Sequence, residues 1–160
     1  MLDSATPTEL AKFLVRAKRS TYASQGDEAS VPAALPGSKQ LEFSEGDWQY
    51  RDVYFGNQAF AGIEVVSLDQ HPVWSMSYAG GVVLHGSDRS RTRPVYAFLR
   101  QCLRHVGEDR PFRGPRHVQA GDFEYRDRSY GSVETFSGVE AISEKGVTVY
   151  RLRYAGRLID

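Results

Sequence analysis

Cysteine and long apolar runs are scarce in this chain of 160 residues, and each scarcity excludes a class of protein. Cys102 is the single cysteine, so no disulfide can form within the chain. No apolar run approaches the roughly 20 residues that a membrane-spanning helix needs. Residues 1–4 lack the basic and then apolar pattern of a signal peptide. We therefore expect a cytoplasmic protein with no membrane partner.

The sequence also lacks net charge and any motif that demands a particular chemistry. Its 20 Lys and Arg residues equal its 20 Asp and Glu residues, which removes the global electrostatic argument for nucleic acid as a partner. The four histidines are dispersed, and no two have the spacing of metal ligands. We therefore expect no cofactor, no bound metal and no catalytic residue. The lack of such motifs favours a protein that is not an enzyme.

Two regions of the chain repeat the same sequence pattern. Residues 46–56 read GDWQYRDVYFG, and residues 121–131 read GDFEYRDRSYG. The match resumes in two further pairs of segments, 60–64 with 136–140 and 73–80 with 149–156. More than half of the aligned positions are identical, far above what composition alone gives. We predict a single domain over residues 1–160, made of two repeats at about 1–88 and 89–160.

Each repeat is predicted to contain one helix followed by three strands. The strands are expected at 47–55, 58–68 and 72–79, and at 122–130, 134–143 and 147–154. A capping box with proline at 6–9 begins the first helix, and an apolar stripe over 95–106 predicts the second. The predicted fold class is therefore α+β: an internally duplicated αβββ-αβββ domain. It would have a six-stranded antiparallel sheet, two helices on one face and a pseudo-two-fold axis.

The first repeat is richer in aromatic side chains than the second, and this asymmetry indicates a candidate site. Trp48 and Trp74 stand where the second repeat has Phe123 and Tyr150. A long polar loop at 24–40 also has no counterpart there. The functional hypothesis is a pocket with that loop as a lid. Its predicted lining is Tyr22, Trp48, Tyr50, Trp74, Met76 and Tyr78. The alternative is that these side chains are ordinary core residues.

Glu64 and Glu140 occupy matching positions in the second strand of each repeat. Strand alternation puts Phe60, Gly62 and Val66 on the face of Glu64. If that face is the inner one, each carboxylate points into aromatic surroundings, where burial raises its pKa. The functional hypothesis makes Glu64 and Glu140 ligand-binding carboxylates. The alternatives are an ion pair with an arginine, or a position on the solvent-facing side.

Three further features are interpreted as structural. The triplet Tyr-Arg-Asp occurs at 50–52 and again at 125–127, where it suggests a salt bridge or a turn-capping carboxylate. Eight arginines between residues 89 and 116 suggest a solvated helix face, with phosphate contact as the alternative. Cys102 lies on the apolar stripe of the second helix and is expected to be a small buried hydrophobe.

A resemblance to a known family is carried by four segments: FLVRAK at 13–18, EGDWQYRDVYFG at 45–56, FAGIE at 60–64 and PVWSMSY at 72–78. Together they are similar to an uncharacterised bacterial domain family of unknown function. Some members of that family follow a helix-turn-helix domain in predicted transcription regulators. The resemblance implies no catalytic or binding residues.

A second resemblance is one of architecture alone, to the effector-binding domains of drug-sensing regulators. It implies a small apolar or cationic ligand held in a cleft between two halves of the domain. Our first hypothesis is therefore a small-molecule-binding or sensing domain without catalytic activity. The alternative is a protein-interaction or homodimerisation module that uses the solvent-facing side of the sheet or an edge strand. A third hypothesis is an enzyme that uses Glu64 with Tyr50 or Arg51.

Overall fold

One continuous antiparallel sheet organises the chain, which a computed structural model describes at residues 6–25, 31–83 and 89–160. Its eight strands within these residues are β1 Lys39–Glu45, β2 Trp48–Gly56, β3 Ala59–Leu68, β4 His71–Val82, β5 His117–Ala120, β6 Phe123–Ser132, β7 Thr135–Glu144 and β8 Val147–Leu158. The strand order is β1-β2-β3-β4-β8-β7-β6-β5. Strands β4 and β8 therefore join the first half of the sheet, β1 to β4, to the second half, β5 to β8.

Two long helices cover the inner face of the sheet. They are α1 Pro7–Ser20 and α3 Arg89–Leu103, and a single turn, α2 Tyr22–Gln25, follows α1. The predicted capping box is confirmed, because Glu9 N donates to Thr6 Oγ1 at 3.2 Å and Thr6 N donates to Glu9 Oε2 at 2.8 Å. None of the described helices is both long and apolar enough to cross a membrane.

The apolar stripes of both helices pack against aromatic rings of the sheet. Phe13 of α1 stacks on Trp48 with ring centroids 5.2 Å apart, and Phe98 of α3 stacks on Phe123 at 5.3 Å. These rings are large apolar surfaces whose burial between helix and sheet stabilises the fold. The connection from α3 to β5 also contributes Phe112, whose ring lies over that of Phe136 at 3.9 Å. The core therefore lies between the sheet and its helices and contains many stacked aromatic rings.

The predicted sheet is wrong in its strand number and in its description as an internally duplicated six-stranded unit. The structure has a single eight-stranded antiparallel sheet. Strands β2, β3, β4, β6, β7 and β8 lie within a few residues of the six predicted strands. Strands β1 and β5 are additional, and each adds to an edge of the sheet by pairing with β2 or β6. Both lie outside the matching segments, in stretches where no strand was predicted.

Two glycines let tyrosine rings cross the inner face. Gly62 pairs with Tyr78 in the β3–β4 register, and Gly138 pairs with Tyr154 in the β7–β8 register. A Cβ atom at either glycine would overlap the ring of the paired tyrosine. Because no side chain stands in the way, each ring lies flat across its neighbouring strand. Its hydroxyl then reaches an aspartate one strand further on.

Gly138→Ala is expected to lower the free energy of unfolding by about 1–3 kcal/mol, because the new methyl group forces the Tyr154 ring out of place. Urea denaturation measures this difference. Ser137→Ala is the matched control, since Ser137 is the adjacent, exposed residue on the opposite face. An alanine at position 138 that left stability unchanged would contradict the packing described here.

Candidate functional site

A cleft opens between the inner face of the first half of the sheet and the helices. It encloses about 700 Å³ of space, part of it open to solvent. Aromatic rings supply much of its lining, namely Tyr22, Tyr50, Tyr54, Phe60, Tyr78, Tyr96 and Phe112. Its charged lining residues are Lys18, Asp52, Glu64 and Arg113. Concave, largely apolar spaces with a few converging polar groups are the usual form of small-molecule sites.

Glu64 lies on the inner face of β3 and is paired with a lysine from α1. Its side chain is buried, and Lys18 Nζ donates to Glu64 Oε2. Lys18 Nζ also donates to the backbone carbonyl oxygen of Phe112 at 2.7 Å. Burial lowers the pKa of Lys18, and the Glu64 carboxylate opposes that change. This buried ion pair therefore fixes the end of α1, and the connection after α3, to the middle of the sheet.

Asp52 lies beside Glu64 on the neighbouring strand β2, facing it in the β2–β3 register. Tyr78 donates a hydrogen bond from its hydroxyl to Asp52 Oδ1 at 2.6 Å. No lysine, arginine or histidine side chain within the described residues lies at ion-pair distance from Asp52. Burial, and then the charge of Glu64, raise the pKa of the Asp52 carboxyl from 3.8 to about 7. The cleft thus contains a carboxyl group that titrates near neutral pH.

The equivalent carboxylates of the second half are more completely paired. Arg113 Nη2 donates to Glu140 Oε1 at 2.9 Å, and the hydroxyls of Tyr125 and Tyr150 donate to the same carboxylate at 2.7 and 2.9 Å. Glu140 is fully buried and faces Asp127 in the β6–β7 register. These charge-assisted bonds are the strong kind, so the carboxylate is held rigidly.

Asp127 receives an arginine that Asp52 lacks. Arg110 Nη2 donates to Asp127 Oδ2 at 2.9 Å, and the Tyr154 hydroxyl donates to Asp127 Oδ1 at the same distance. Burial and the charge of Glu140 raise the pKa of Asp127 to about 7, against the opposing effects of Tyr154 and Arg110. Both aspartates are therefore buried and accept a hydrogen bond from a tyrosine, but within the described residues only Asp127 is also paired with an arginine.

The structure brings four of the predicted site residues into the cleft and leaves the other four outside its lining. Tyr22, Tyr50, Glu64 and Tyr78 line it. The remaining four are core residues: Trp48 stacks on Phe13, Trp74 stacks on Phe136, Met76 is fully buried, and Glu140 is held by Arg113. The alternative interpretation as ordinary core thus describes Trp48, Trp74 and Met76.

The structure shows which face of β3 and of β7 points towards the core. Glu64 and Glu140 are 2 % and 0 % exposed, so neither lies on the solvent-facing side. The ion-pair alternative describes both, with an arginine at Glu140 and a lysine at Glu64. Arg51 points to the opposite face, where it is exposed and pairs with Glu42. The hypothesis of an enzyme that combines Glu64 with Arg51 is therefore wrong in its geometry.

The sequence analysis identified only one of the four charged lining residues, Glu64, as a site residue. Asp52 was assigned to a salt bridge or a turn cap, yet it lies within β2 between Tyr50 and Tyr54 on the inner face. The alternation of 50, 52 and 54 along one strand is the signal that identifies it. Lys18 follows the apolar stripe of α1 by one position. Arg113 was grouped with the solvated arginines, but it is buried, as is Arg110.

Two other predictions can be compared with the structure. Of the predicted lid, residues 26–30 lie outside the described part of the chain, and residues 31–38 are not among those that line the cleft. Cys102 is buried on α3, and burial raises the pKa of its thiol to about 12, as expected for a small apolar core residue. No group of three potential metal ligands was found among the described residues.

The fold and the cleft define an α+β domain with ionisable groups buried beneath two helices. The chain belongs to the family described as Domain of unknown function (DUF5680), whose family model matches residues 52–159. The match agrees with the resemblance to a family of unknown function that the sequence segments carry. Comparison with curated proteins and with solved structures gave no match.

Asp52→Asn is expected to change how stability depends on pH. Because the pKa of Asp52 is about 7 in the folded chain and 3.8 in the reference state, the folded form holds a proton that the unfolded form releases between these values. This contribution to stability is fully present below pH 3.8 and is lost as the pH rises through 7. Asparagine does not titrate, so at pH 8 the free energy of unfolding of the variant should exceed that of the wild type by up to about 4 kcal/mol.

Urea denaturation of both proteins from pH 4.5 to 8.5 measures the difference. Asp69→Asn, in an exposed turn, is the matched control and should follow the wild type. A constant difference between wild type and Asp52→Asn across this range would show that Asp52 is ionised throughout, against the structure.

Proposed function

We propose that this chain is a cytoplasmic small-molecule-binding or sensing domain without catalytic activity, and that its site is the cleft. The observation that carries the proposal is the cleft itself, about 700 Å³ of space lined by aromatic rings around a buried carboxyl group. Aromatic rings around a buried carboxyl group supply the apolar walls and the converging polar groups that small-molecule sites usually have.

The pairing of the other charges supports binding rather than chemistry. Glu64 is held by Lys18, and Arg113 is held by Glu140. Side chains held in ion pairs have fixed positions and can orient a ligand. The resemblance to a bacterial family whose members sometimes follow a helix-turn-helix domain also fits a sensing role. In such an arrangement, ligand occupancy of the cleft would be the signal.

Tyr22→Ala is expected to remove ligand-induced stabilisation, because Tyr22 lines the cleft at the short helix α2. A thermal-shift screen against a broad metabolite panel provides the measurement. A ligand at about 100 times its Kd adds roughly 2.7 kcal/mol, or on the order of 5–10 °C for a chain of this size. Tyr130→Ala is the matched control, since Tyr130 is exposed on the outer face.

A shift that Tyr22→Ala abolishes and Tyr130→Ala retains supports the cleft as the site. Shifts that survive Tyr22→Ala place the ligand elsewhere. A panel in which no compound changes the melting temperature contradicts the binding function and favours the second candidate.

The second candidate is a homodimerisation or interaction module that uses the outer face of the sheet. The observation that favours it is the exposure of three large apolar side chains there, because Phe55, Ile63 and Val139 are 45 %, 44 % and 38 % exposed. Both long helices pack on the inner face, and apolar groups on an open sheet face are typical of contact surfaces. Arginines such as Arg153 surround Val139 in the β7–β8 register.

Sedimentation velocity over a range of protein concentrations tests this candidate. A homodimer through the outer face predicts a mass that rises with concentration, and Ile63→Lys should shift the equilibrium towards the monomer. Ser77→Lys, at the position that faces Ile63 on β4, tests whether the contact extends to the central strands. A chain that remains monomeric at all concentrations contradicts the homodimer.

A further inference from the structure

Asp52 and Asp127 occupy equivalent positions in the two halves of the sheet but have different partners. Asp127 accepts from the Tyr154 hydroxyl and from Arg110, which is 2.9 Å away. Asp52 accepts from the Tyr78 hydroxyl at 2.6 Å, and none of the described cationic side chains lies within ion-pair distance of it. What borders Asp52 instead is the cleft. Since Asp52 is only 6 % exposed, water solvates its charge poorly.

The charges around the cleft leave one carboxylate without a matching cation. Lys18 neutralises Glu64, and Arg113 neutralises Glu140. When Asp52 is ionised, the group therefore carries one uncompensated negative charge. An uncompensated charge in a buried site is costly, and the site can relieve that cost by taking up a proton or a cation.

The side chains beside the two aspartates also differ. In the second half, Arg110 Nε donates to Ser129 Oγ at 2.8 Å, and Ser129 faces Gly138 in the strand register. The position that faces Gly62 in the first half is Tyr54, whose ring lines the cleft with those of Phe60 and Tyr96. Where the second half has the Ser129 hydroxyl group bound to Arg110, the first half therefore has the aromatic ring of Tyr54. Aromatic faces attract cations and also contact an apolar body.

We propose that the cleft binds a small organic monocation, a protonated amine or guanidinium on an aromatic or apolar body, whose charged group pairs with Asp52. The cation takes beside Asp52 the place that Arg110 takes beside Asp127. The body of the ligand lies against Tyr54, Phe60 and Tyr96. This inference rests on the proposed function, because it names the ligand class of the same cleft.

The proposal has a consequence for pH. A cation stabilises the ionised form of Asp52, so binding competes with the proton that this carboxyl holds when the cleft has no ligand. The charged groups that act on Asp52 are Glu64 of β3, Lys18 of α1 and Arg113 of the connection, with Tyr78 of β4 as its hydrogen-bond donor. Affinity for a cation therefore falls as the pH drops below about 7.

Isothermal titration of the full chain with three probes of similar shape tests the proposal. Phenethylamine carries the cation, phenethyl alcohol is its neutral counterpart, and phenylacetate carries the opposite charge. Each probe is titrated at pH 8 into the wild type, Asp52→Asn, Tyr22→Ala and the control Asp69→Asn. The amine is titrated again at pH 6.

The proposal predicts that the amine binds the wild type and Asp69→Asn at least about tenfold more tightly than the alcohol. Asp52→Asn should abolish that preference, and the affinity for the amine should be lower at pH 6 than at pH 8. Equal or tighter binding of the alcohol or of phenylacetate, unchanged affinity for the amine in Asp52→Asn, or no binding of the amine would each overturn it. Binding of the alcohol as tight as that of the amine, removed by Tyr22→Ala and left intact by Asp52→Asn, would show that the cleft binds ligands but does not prefer a cation.

Discussion

The structure depends on burying carboxylates on the inner face of a β-sheet. Four of them, Asp52, Glu64, Asp127 and Glu140, lie beneath the helices on β2, β3, β6 and β7. Burying a charged carboxylate without partners is costly, and hydrogen-bond donors and cations from other parts of the chain reduce that cost. The central strands supply tyrosines, α1 supplies Lys18, and the connection after α3 supplies Arg110 and Arg113. These bonds fix how the helices and that connection sit on the sheet.

The same constraint explains why the two halves differ in shape. In the second half, the connection enters the inner face and places Arg110 and Phe112 over the sheet, which leaves little room near Asp127. In the first half, Lys18 of α1 forms its ion pair with Glu64 and not with Asp52. Space remains beside Asp52, and aromatic rings close around it. A buried network that lacks one member can accept it from a bound molecule, and the proposed ligand site is based on this.

The sequence revealed the regular part of this arrangement and missed the part that makes the site. Alternation and turn residues located six strands, since each has a clear apolar face bounded by turns. Strands β1 and β5 were missed because they are short edge strands outside the matching segments. The predicted six-stranded duplicated sheet was wrong for that reason. Asp52 was assigned to a salt bridge or a turn cap, Arg113 was assigned to a solvated face, and Lys18 received no role. Charged residues are rarely buried without a partner, and these partners are distant in the sequence. Such pairing over 46 residues, as between Lys18 and Glu64, cannot be read from local sequence.

The cleft lies against the first half of the sheet, which is the half richer in aromatic side chains, but the tryptophans behind that asymmetry do not line it. Trp48 and Trp74 fill the core, where their large rings pack against Phe13 and Phe136. Tyrosines form much of the cleft wall instead, because their hydroxyl groups can face polar space while their rings remain packed.

The most direct test is a carbon-13 NMR titration of the Asp52 side-chain carboxyl, with and without saturating phenethylamine. Asp127 serves as the internal reference, since Arg110 already occupies the equivalent place beside it. The account predicts that the pKa of Asp52 is about 7 in the free protein, and that the amine lowers it while leaving that of Asp127 unchanged. An Asp52 that titrates near its ordinary value in the free protein, or that does not respond to the bound amine, would contradict the account.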